Sequence, residues 1–360
     1  MGRRAFIKNA GIVTAASTLA APAIAQALPS IKWRLASSFP KALDTIYQAA
    51  EDMAKRVKAA TEGRFEIRVF AGGEIVPPFG VLDAVQNATV EMCHTASYYF
   101  VGKNKTFAFD TALPFGLNTR QQNAWTYFGG GMALLRDFYR EFNVINFPGG
   151  NTGTQMGGWF RKEIKGLDDL KGLKIRIPGI GGEIFSRLGA VPQAIPGGDI
   201  YPALEKGTID AAEWVGPYDD EKLGFYKVAP NYYYPGWWEP GPNFSFMINA
   251  KEWEKLPQAY KDVLEAACAE ANIRMTAEYD AKNPKALASL LAKGAKLHAY
   301  PRDVLQAAFN AAQDIYAEEA AKNPSFKKIY DPWNRFRNES FQWFKVAEQG
   351  YANFSFNQKV

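Results

Sequence analysis

Apolar and charged residues alternate where the chain first shows a regular period. Ile31, Trp33 and Leu35 fall on one side and Lys32 and Arg34 on the other, as in a half-buried strand. Between Ala42 and Thr61 the period lengthens: Ile46, Ala49, Ala50, Met53 and Val57 recur at helical spacing, and Gly63 closes the segment. Alternation returns at Phe65, Ile67 and Val69, and "VLDAVQN" (81–87) reads as a short helix. Strand, helix, strand in this order predicts right-handed crossovers and a parallel sheet.

A second such unit follows the Gly-rich passage "FPGGNTGTQMGGWF" (147–160). "LKGLKIRIPG" is a strand, 183–188 a helix, "AVPQAIPGG" extended, 199–206 a helix and "GTIDAAEW" a strand. Phe244, Phe246 and Ile248 alternate after the Pro/Gly-dense "YYYPGWWEPGPN". From Glu252 the period is helical again, with Trp253, Leu256, Tyr260, Val263, Leu264, Ala267 and Ala271 in one stripe; 302–322 repeats the pattern. The predicted class is therefore α/β. A first lobe covers 26–150 with a return segment near 240–270, a second covers 151–239, and a helical region covers 271–360. A cleft between the lobes is the expected place for a ligand.

The first 25 residues alter the charge picture. Arg3, Arg4 and Lys8 precede a mildly apolar stretch, and Ala23-Ile24-Ala25 offers a small-x-small cleavage site before Gln26. This reads as an export signal, too short and too polar to span a membrane, and "RRAFIK" resembles the twin-arginine type. Its removal takes three basic residues and no acid. The 42 Lys+Arg against 37 Asp+Glu of the whole chain become 39 against 37, and a nucleic-acid role is excluded. Cys93 and Cys268, far apart and in no metal spacing, read as two buried thiols. With only His94 and His298 present, a His-rich metal site is excluded as well.

Several stretches carry candidate chemistry. "RIPGIGGE" (176–183) fails the nucleotide-loop patterns and remains a glycine loop before a helix. Arg176 is different: it stands at the carboxyl end of a strand, where ligands of α/β sheets collect, and a guanidinium there can grip a carboxylate through two parallel hydrogen bonds. The phenols of Tyr98 and Tyr99 can reach a small polar ligand or pack in a core. The run from Tyr232 to Trp238 reads mainly as hinge packing, with one or two rings lining the cleft. In "DAAEWVGPYDD" (210–220), Asp210 ends a strand, and Asp219 and Asp220 are solvated acids at a turn or helix start. A secreted glycoside hydrolase using Glu213 and Glu239 is an alternative, since two carboxylates across a cleft are its minimum requirement.

The run from Leu170 to Trp214 resembles the signature region of the extracytoplasmic solute receptors of tripartite ATP-independent periplasmic (TRAP) transporters. Leu170 to Arg176, Leu188 to Ala190, Tyr201 to Leu204 and Gly207 to Glu213 match that family's pattern in order and spacing. The resemblance implies a two-lobed, periplasmic-binding-protein-like fold and a receptor, not an enzyme, that hands its solute to a membrane permease. "DAAEWVGPYDD" and "YYYPGWWEPGPN" are most similar to the branch that binds 2-oxo acids such as pyruvate with a metal ion.

On that resemblance Arg176 is the carboxylate clamp. Gln155, the Glu213 side chain and the Trp214 backbone carbonyl hold the metal, with Glu239 as a further candidate, and Asn151, Tyr98 and Tyr99 contribute to the solute site. An all-oxygen set suits a hard cation. Charge counting then favours Na⁺, because Arg176, Glu213, the solute and one monovalent ion sum to zero; Ca²⁺ is the runner-up if Glu239 faces the cleft as a second carboxylate. A 2-hydroxy acid such as lactate with Ca²⁺ is the alternative solute. The resemblance also implies a possible homodimer through a C-terminal helix, for which Trp333, Phe336, Phe341, Trp343 and Phe344 offer a face.

Overall fold

Two mixed sheets divide the chain in the computed structural model, which describes residues 28–358. The export signal read over residues 1–25 lies outside them. The first sheet has the order β2-β1-β3-β10-β4. Its parallel part is β1 (Ile31–Ser37) between β2 (Phe65–Phe70) and β3 (Met92–Thr95). The expected all-parallel sheet is not what forms. β10 (Asn243–Asn249) returns from the far end of the second lobe and runs antiparallel to both β3 and β4 (Val144–Asn151). Sequence order suggested crossovers, but a strand arriving from the other lobe enters with its own direction.

The second sheet has the order β11-β9-β5-β8-β6-β7. These strands are short: β5 (Trp159–Phe160), β6 (Lys174–Arg176), β7 (Val191–Gln193), β8 (Ala211–Ala212), β9 (Asn231–Tyr234) and β11 (Lys296–Ala299). β11 comes from within the stretch read as helical, and four residues flanked by long helices offer too little alternation to announce a strand. Aromatic packing makes up for the short ladders. Trp159 and Tyr232 stack across β5 and β9 with centroids 3.8 Å apart, a pair that buries far more apolar area than two ladder positions otherwise would.

Six helices matter below: α1 (Ile46–Ala60), α2 (Gly179–Arg187), α3 (Pro217–Leu223), α4 (Gln258–Ala292), α5 (Arg302–Lys322) and α6 (Pro324–Phe344). α5 has the predicted bounds, and α2 begins four residues before the expected 183. The glycines of "GIGGE" therefore lie in its first turns, where Gly181 lets the backbone pass close to Ile177 and Trp238.

α4 is the beam of the molecule. At 35 residues it spans roughly 50 Å at 1.5 Å per residue. Its first half is tied to the first lobe by Glu270 to Arg56, by Asn272 to Asn123, and by the Thr276 hydroxyl donating to the carbonyl of Asn151. Its second half is tied to the second lobe, where Asn283 accepts from the Tyr218 N–H, and Ser289, with Lys293 just past the helix end, donates to Glu221. Among the described residues no helix is long and apolar enough to cross a membrane. Cys93 and Cys268 are free and buried, as expected.

The chain passes between the lobes at 151–159 and 234–243, and these crossings are held tightly. Gly236 donates its N–H to the Gln155 carbonyl, and a Cβ there would stand 2.6 Å from that oxygen and from the Met156 oxygen, so only glycine fits. The segment carrying Gln155 is thereby fastened to the one carrying Glu239.

Candidate functional site

The second sheet ends early on one side, and the site forms where it stops. β6 and β8 run parallel, with Arg176 opposite Ala212, so the residue after β8, Glu213, emerges beside the Arg176 side chain. Both are buried, at 1% and 0% exposure. The Arg176 guanidinium donates through Nε to the Ile195 carbonyl at 2.9 Å, and through Nη1 to the Glu213 carbonyl at 3.0 Å and to the Glu213 carboxylate. The Trp214 ring lies over it, 5.1 Å from ring centroid to Cζ, within cation–π range. Burial opposes the guanidinium charge, but the charge of Glu213 and the neighbouring Tyr99, Tyr98 and Glu239 outweigh it and raise its pKa. Arg176 stays a cation in every state that matters.

Several buried polar atoms here find no partner among the described residues: Arg176 Nη2, Gln155 Oε1, Glu213 Oε2 and Glu239 Oε2. Unsatisfied buried groups are rare and each costs about 1–3 kcal/mol or more if left so. Of these four, one is a donor and three are oxygens; the Trp238 indole nitrogen beside Glu213 is a further donor without a partner among the described residues. The backbone adds a fourth oxygen. The Glu213 carbonyl accepts from Arg176 and the Val215 carbonyl from the Met156 N–H, whereas the Trp214 carbonyl between them takes no hydrogen bond among the described residues. Two carboxylates, an amide and a carbonyl make an all-oxygen donor set that fits a hard cation and suits neither zinc nor copper.

Glu239, buried at 3% exposure, lies close enough to Glu213 for the two charges to interact. Burial and then the Glu213 charge push its pKa well above the usual carboxylate range, against the pull of Tyr98 and Arg176. Burial likewise lifts Glu213 to about 7, with Arg176 pulling down. Tyr98 and Tyr99 line a small pocket with Phe39, Ile46, Gln155, Arg176, Trp214, Val215 and Phe244. That pocket holds only about 10 Å³, room for roughly one water. Its lining comes from both lobes, with Phe39, Ile46, Tyr98 and Tyr99 from the first and Gln155, Arg176, Trp214 and Val215 from the second.

Asn151 is placed differently. Its carbonyl oxygen Oδ1 accepts from Thr119 Oγ1 and the Gly153 N–H, and its Nδ2 donates to the Gly241 carbonyl, so its side chain fastens the crossing strands. Trp238 stands beside Glu213, while Tyr232, Tyr233 and Trp237 are buried packing and Tyr234 is exposed.

The acids of 210–220 depart from expectation. Asp210 precedes β8, which is only Ala211–Ala212, and its carboxylate accepts the Lys174 N–H. Asp219 and Asp220 do start a helix, α3, but they are buried at 0% and 1%. Asp220 Oδ2 accepts from Trp159 Nε1 at 2.9 Å and Tyr232 OH at 2.7 Å; Asp219 Oδ2 accepts from Tyr279 OH at 2.7 Å and Trp214 Nε1 at 3.3 Å. Burial raises Asp219 to about 6 and Asp220 to about 7. Trp159, Tyr232 and Tyr279 come from 61, 12 and 60 residues away, so no local signal marked these acids as buried.

Residues 36–323 match the family described as bacterial extracellular solute-binding protein, family 7. The chain belongs to this family. It is a binding protein of TRAP type, and the hydrolase alternative falls with that membership. It is 52% identical, over 99% of both chains, to a monocarboxylate 2-oxoacid-binding periplasmic protein of Nostoc. A TRAP solute-binding protein of Bordetella bronchiseptica, a mixed-occupancy dimer with calcium and picolinate in one active site and the other apo, is 55% identical with TM-score 0.90, covering 91% of this chain and 98% of that one. Another, from Pseudoalteromonas atlantica with bound sodium and pyruvate, is 40% identical with TM-score 0.88, covering 90% and 99%.

The raised carboxyls have a consequence for stability. A carboxyl whose folded pKa lies above its unfolded value of 4.5 contributes stability that is fully present below 4.5 and is lost as pH rises through the folded value, about 7 for Glu213 and well above the usual carboxylate range for Glu239. In chelator-treated protein, Glu239→Gln should therefore lose less stability than wild type between pH 5 and pH 8, read as urea midpoints. Equal losses would remove this account of Glu239.

Proposed function

We propose that this receptor works in the periplasm, where it binds a small 2-oxo monocarboxylate of the pyruvate type together with a metal ion and delivers it to a TRAP membrane permease. The observation that carries the reading is the set of partnerless buried atoms: one guanidinium nitrogen, Arg176 Nη2, among Gln155 Oε1, Glu213 Oε2 and Glu239 Oε2. A carboxylate supplies what the donor lacks, and a hard cation what the oxygens lack. The ligands of the related proteins support the same chemistry. Pyruvate presents a ketone oxygen, and picolinate a ring nitrogen, next to a carboxylate, and either pair can chelate one cation.

In this reading Gln155, Glu213, Glu239 and the Trp214 carbonyl hold the cation, which when bound supplies a positive centre shared by the carboxylate and ketone oxygens. Arg176 grips the outer edge of the carboxylate. The phenols of Tyr98 and Tyr99 border the polar end, and Phe39, Ile46, Val215 and Phe244 give the alkyl end an apolar wall. Closure of the lobes excludes water, which strengthens both the charge-assisted bonds and the cation contacts.

Charge now favours calcium over sodium. Arg176 and Glu213 cancel, leaving Glu239 and the solute as two negative charges in a site cut off from water. A divalent cation balances them and a monovalent one does not. Glu239 buried beside Glu213 is the circumstance that moves the expectation from Na⁺ to Ca²⁺.

The receptor also pairs with a second copy through its C-terminal helices. Trp333, on the predicted face, is buried in its own core against Phe109, and Phe336, Phe341 and Phe344 are half-buried. Trp343 (62%), Val346 (76%) and Phe356 (82%) remain exposed, an apolar surface of the kind that marks an interface. The dimeric Bordetella relative supports this. A light-scattering mass of two chains is expected, and a mass of one would remove the dimer.

Titration calorimetry in calcium should show pyruvate binding, with Arg176→Ala weaker by on the order of 100-fold, ~3 kcal/mol for lost charge-assisted bonds. No heat with any 2-oxo acid would sink the proposal. In the same assay Glu239→Gln should erase the preference for calcium over sodium, and an unchanged preference would show that Glu239 does not set it.

A further inference from the structure

Asp219 is not needed by the solute site as described, yet it is entirely buried directly behind it. One of its oxygens, Oδ2, does two things at once. It accepts the Trp214 indole N–H at 3.3 Å and the Tyr279 hydroxyl at 2.7 Å. Trp214 is the residue whose ring covers Arg176 and whose carbonyl is free for a cation. Tyr279 belongs to α4, the helix that joins the lobes.

The indole is fixed on its other sides too. Gly197 lies so close that a Cβ there would stand 2.5 Å from the ring, and the Arg176 guanidinium packs on its face. The ring thus has one orientation that satisfies its N–H, and Asp219 supplies the acceptor. Asp219 itself is held: it sits in the first turn of α3, whose Tyr218 N–H is bonded to Asn283 of α4 at 3.1 Å. Four residues along α4, Tyr279 reaches the carboxylate. The second half of α4 and the start of α3 therefore form one rigid piece, and the indole hangs from it.

We propose that Asp219 and Tyr279 are positioning residues for binding: together they lock the Trp214 indole over Arg176, and so aim both the clamp and the Trp214 carbonyl. This rests on the reading of the site as one for a cation and an oxo acid. Because α4 also reaches the first lobe, the tie makes the aim of the clamp depend on the placement of the inter-lobe helix. A receptor so built grips its solute fully only when α4 and the second lobe are seated together.

The test uses the mature protein as wild type, Tyr279→Phe, Asp219→Asn and Asp219→Leu. Calcium binding is measured by calorimetry without any oxo acid, then pyruvate binding in saturating calcium, and each variant's melting temperature is recorded. Tyr279→Phe is expected to weaken both affinities about 10-fold, the loss of roughly one well-placed hydrogen bond. Asp219→Leu should lose more, and Asp219→Asn, which keeps an acceptor oxygen, should stay within about threefold of wild type. Unchanged affinities in Tyr279→Phe with only a lower melting temperature would reduce the bond to a structural one and overturn the proposal. So would equal losses in Asp219→Asn and Asp219→Leu. Should Asp219→Leu not fold, Tyr279→Phe and Asp219→Asn decide between the same outcomes. If wild type binds calcium but not pyruvate, the assigned solute is wrong while the calcium arm still decides the brace; if it binds neither, both fall.

Discussion

Everything around the site follows from burying one arginine. An unpaired guanidinium in a closed cleft is costly by several kcal/mol, so the fold must bring acceptors to it. It does so with the Ile195 carbonyl, the Glu213 carbonyl and the Glu213 carboxylate. These use Nε and Nη1 and leave Nη2 without a partner. Such a pair adds little stability compared with apolar packing, and its retention points to recognition. The ion pair holds Arg176 in place, and its remaining nitrogen stays available for a ligand.

The same economy explains the second carboxylate. Glu239 is carried into the site by a segment whose Gly236 is bonded to the Gln155 backbone, so an amide oxygen and a carboxylate arrive together. Burial lifts Glu213, and burial followed by the Glu213 charge lifts Glu239, so neither carboxyl ionises easily here. In the proposed reading a cation takes the place of the protons on these carboxyls, which makes binding of metal and release of protons parts of one equilibrium.

Behind this layer the helix α4 and the acids Asp219 and Asp220 form a buried polar scaffold of aromatic donors. Trp159, Trp214, Tyr232 and Tyr279 each give a hydrogen to one of the two carboxylates. Such a network is stable only when all of its members are in place, so it fixes ring orientations that packing alone would leave free. The short strands of the second lobe need this support, since a two-residue β8 brings few ladder bonds of its own.

Much was legible along the chain. Periodicity located β1, β2, α1, β10 and α5, because each is long enough to show one face apolar and the other polar. Arg176 was legible as chemistry from its place at a strand end, and Glu213 from its match to a signature pattern. Other features were not. β11 is short and hidden between helices, β10 reverses the expected strand direction, and Asp219 and Asp220 looked like surface acids because a local window of charges reads as solvated. Their burial depends on Tyr232 and Tyr279, 12 and 60 residues away. The sequence by itself determined the α/β class, the two lobes and the kinds of atoms available to a ligand, since these follow from local periodicity and residue type. Tertiary structure decided which of those atoms end without partners in one place, because satisfaction of a buried polar group depends on neighbours that only folding brings together.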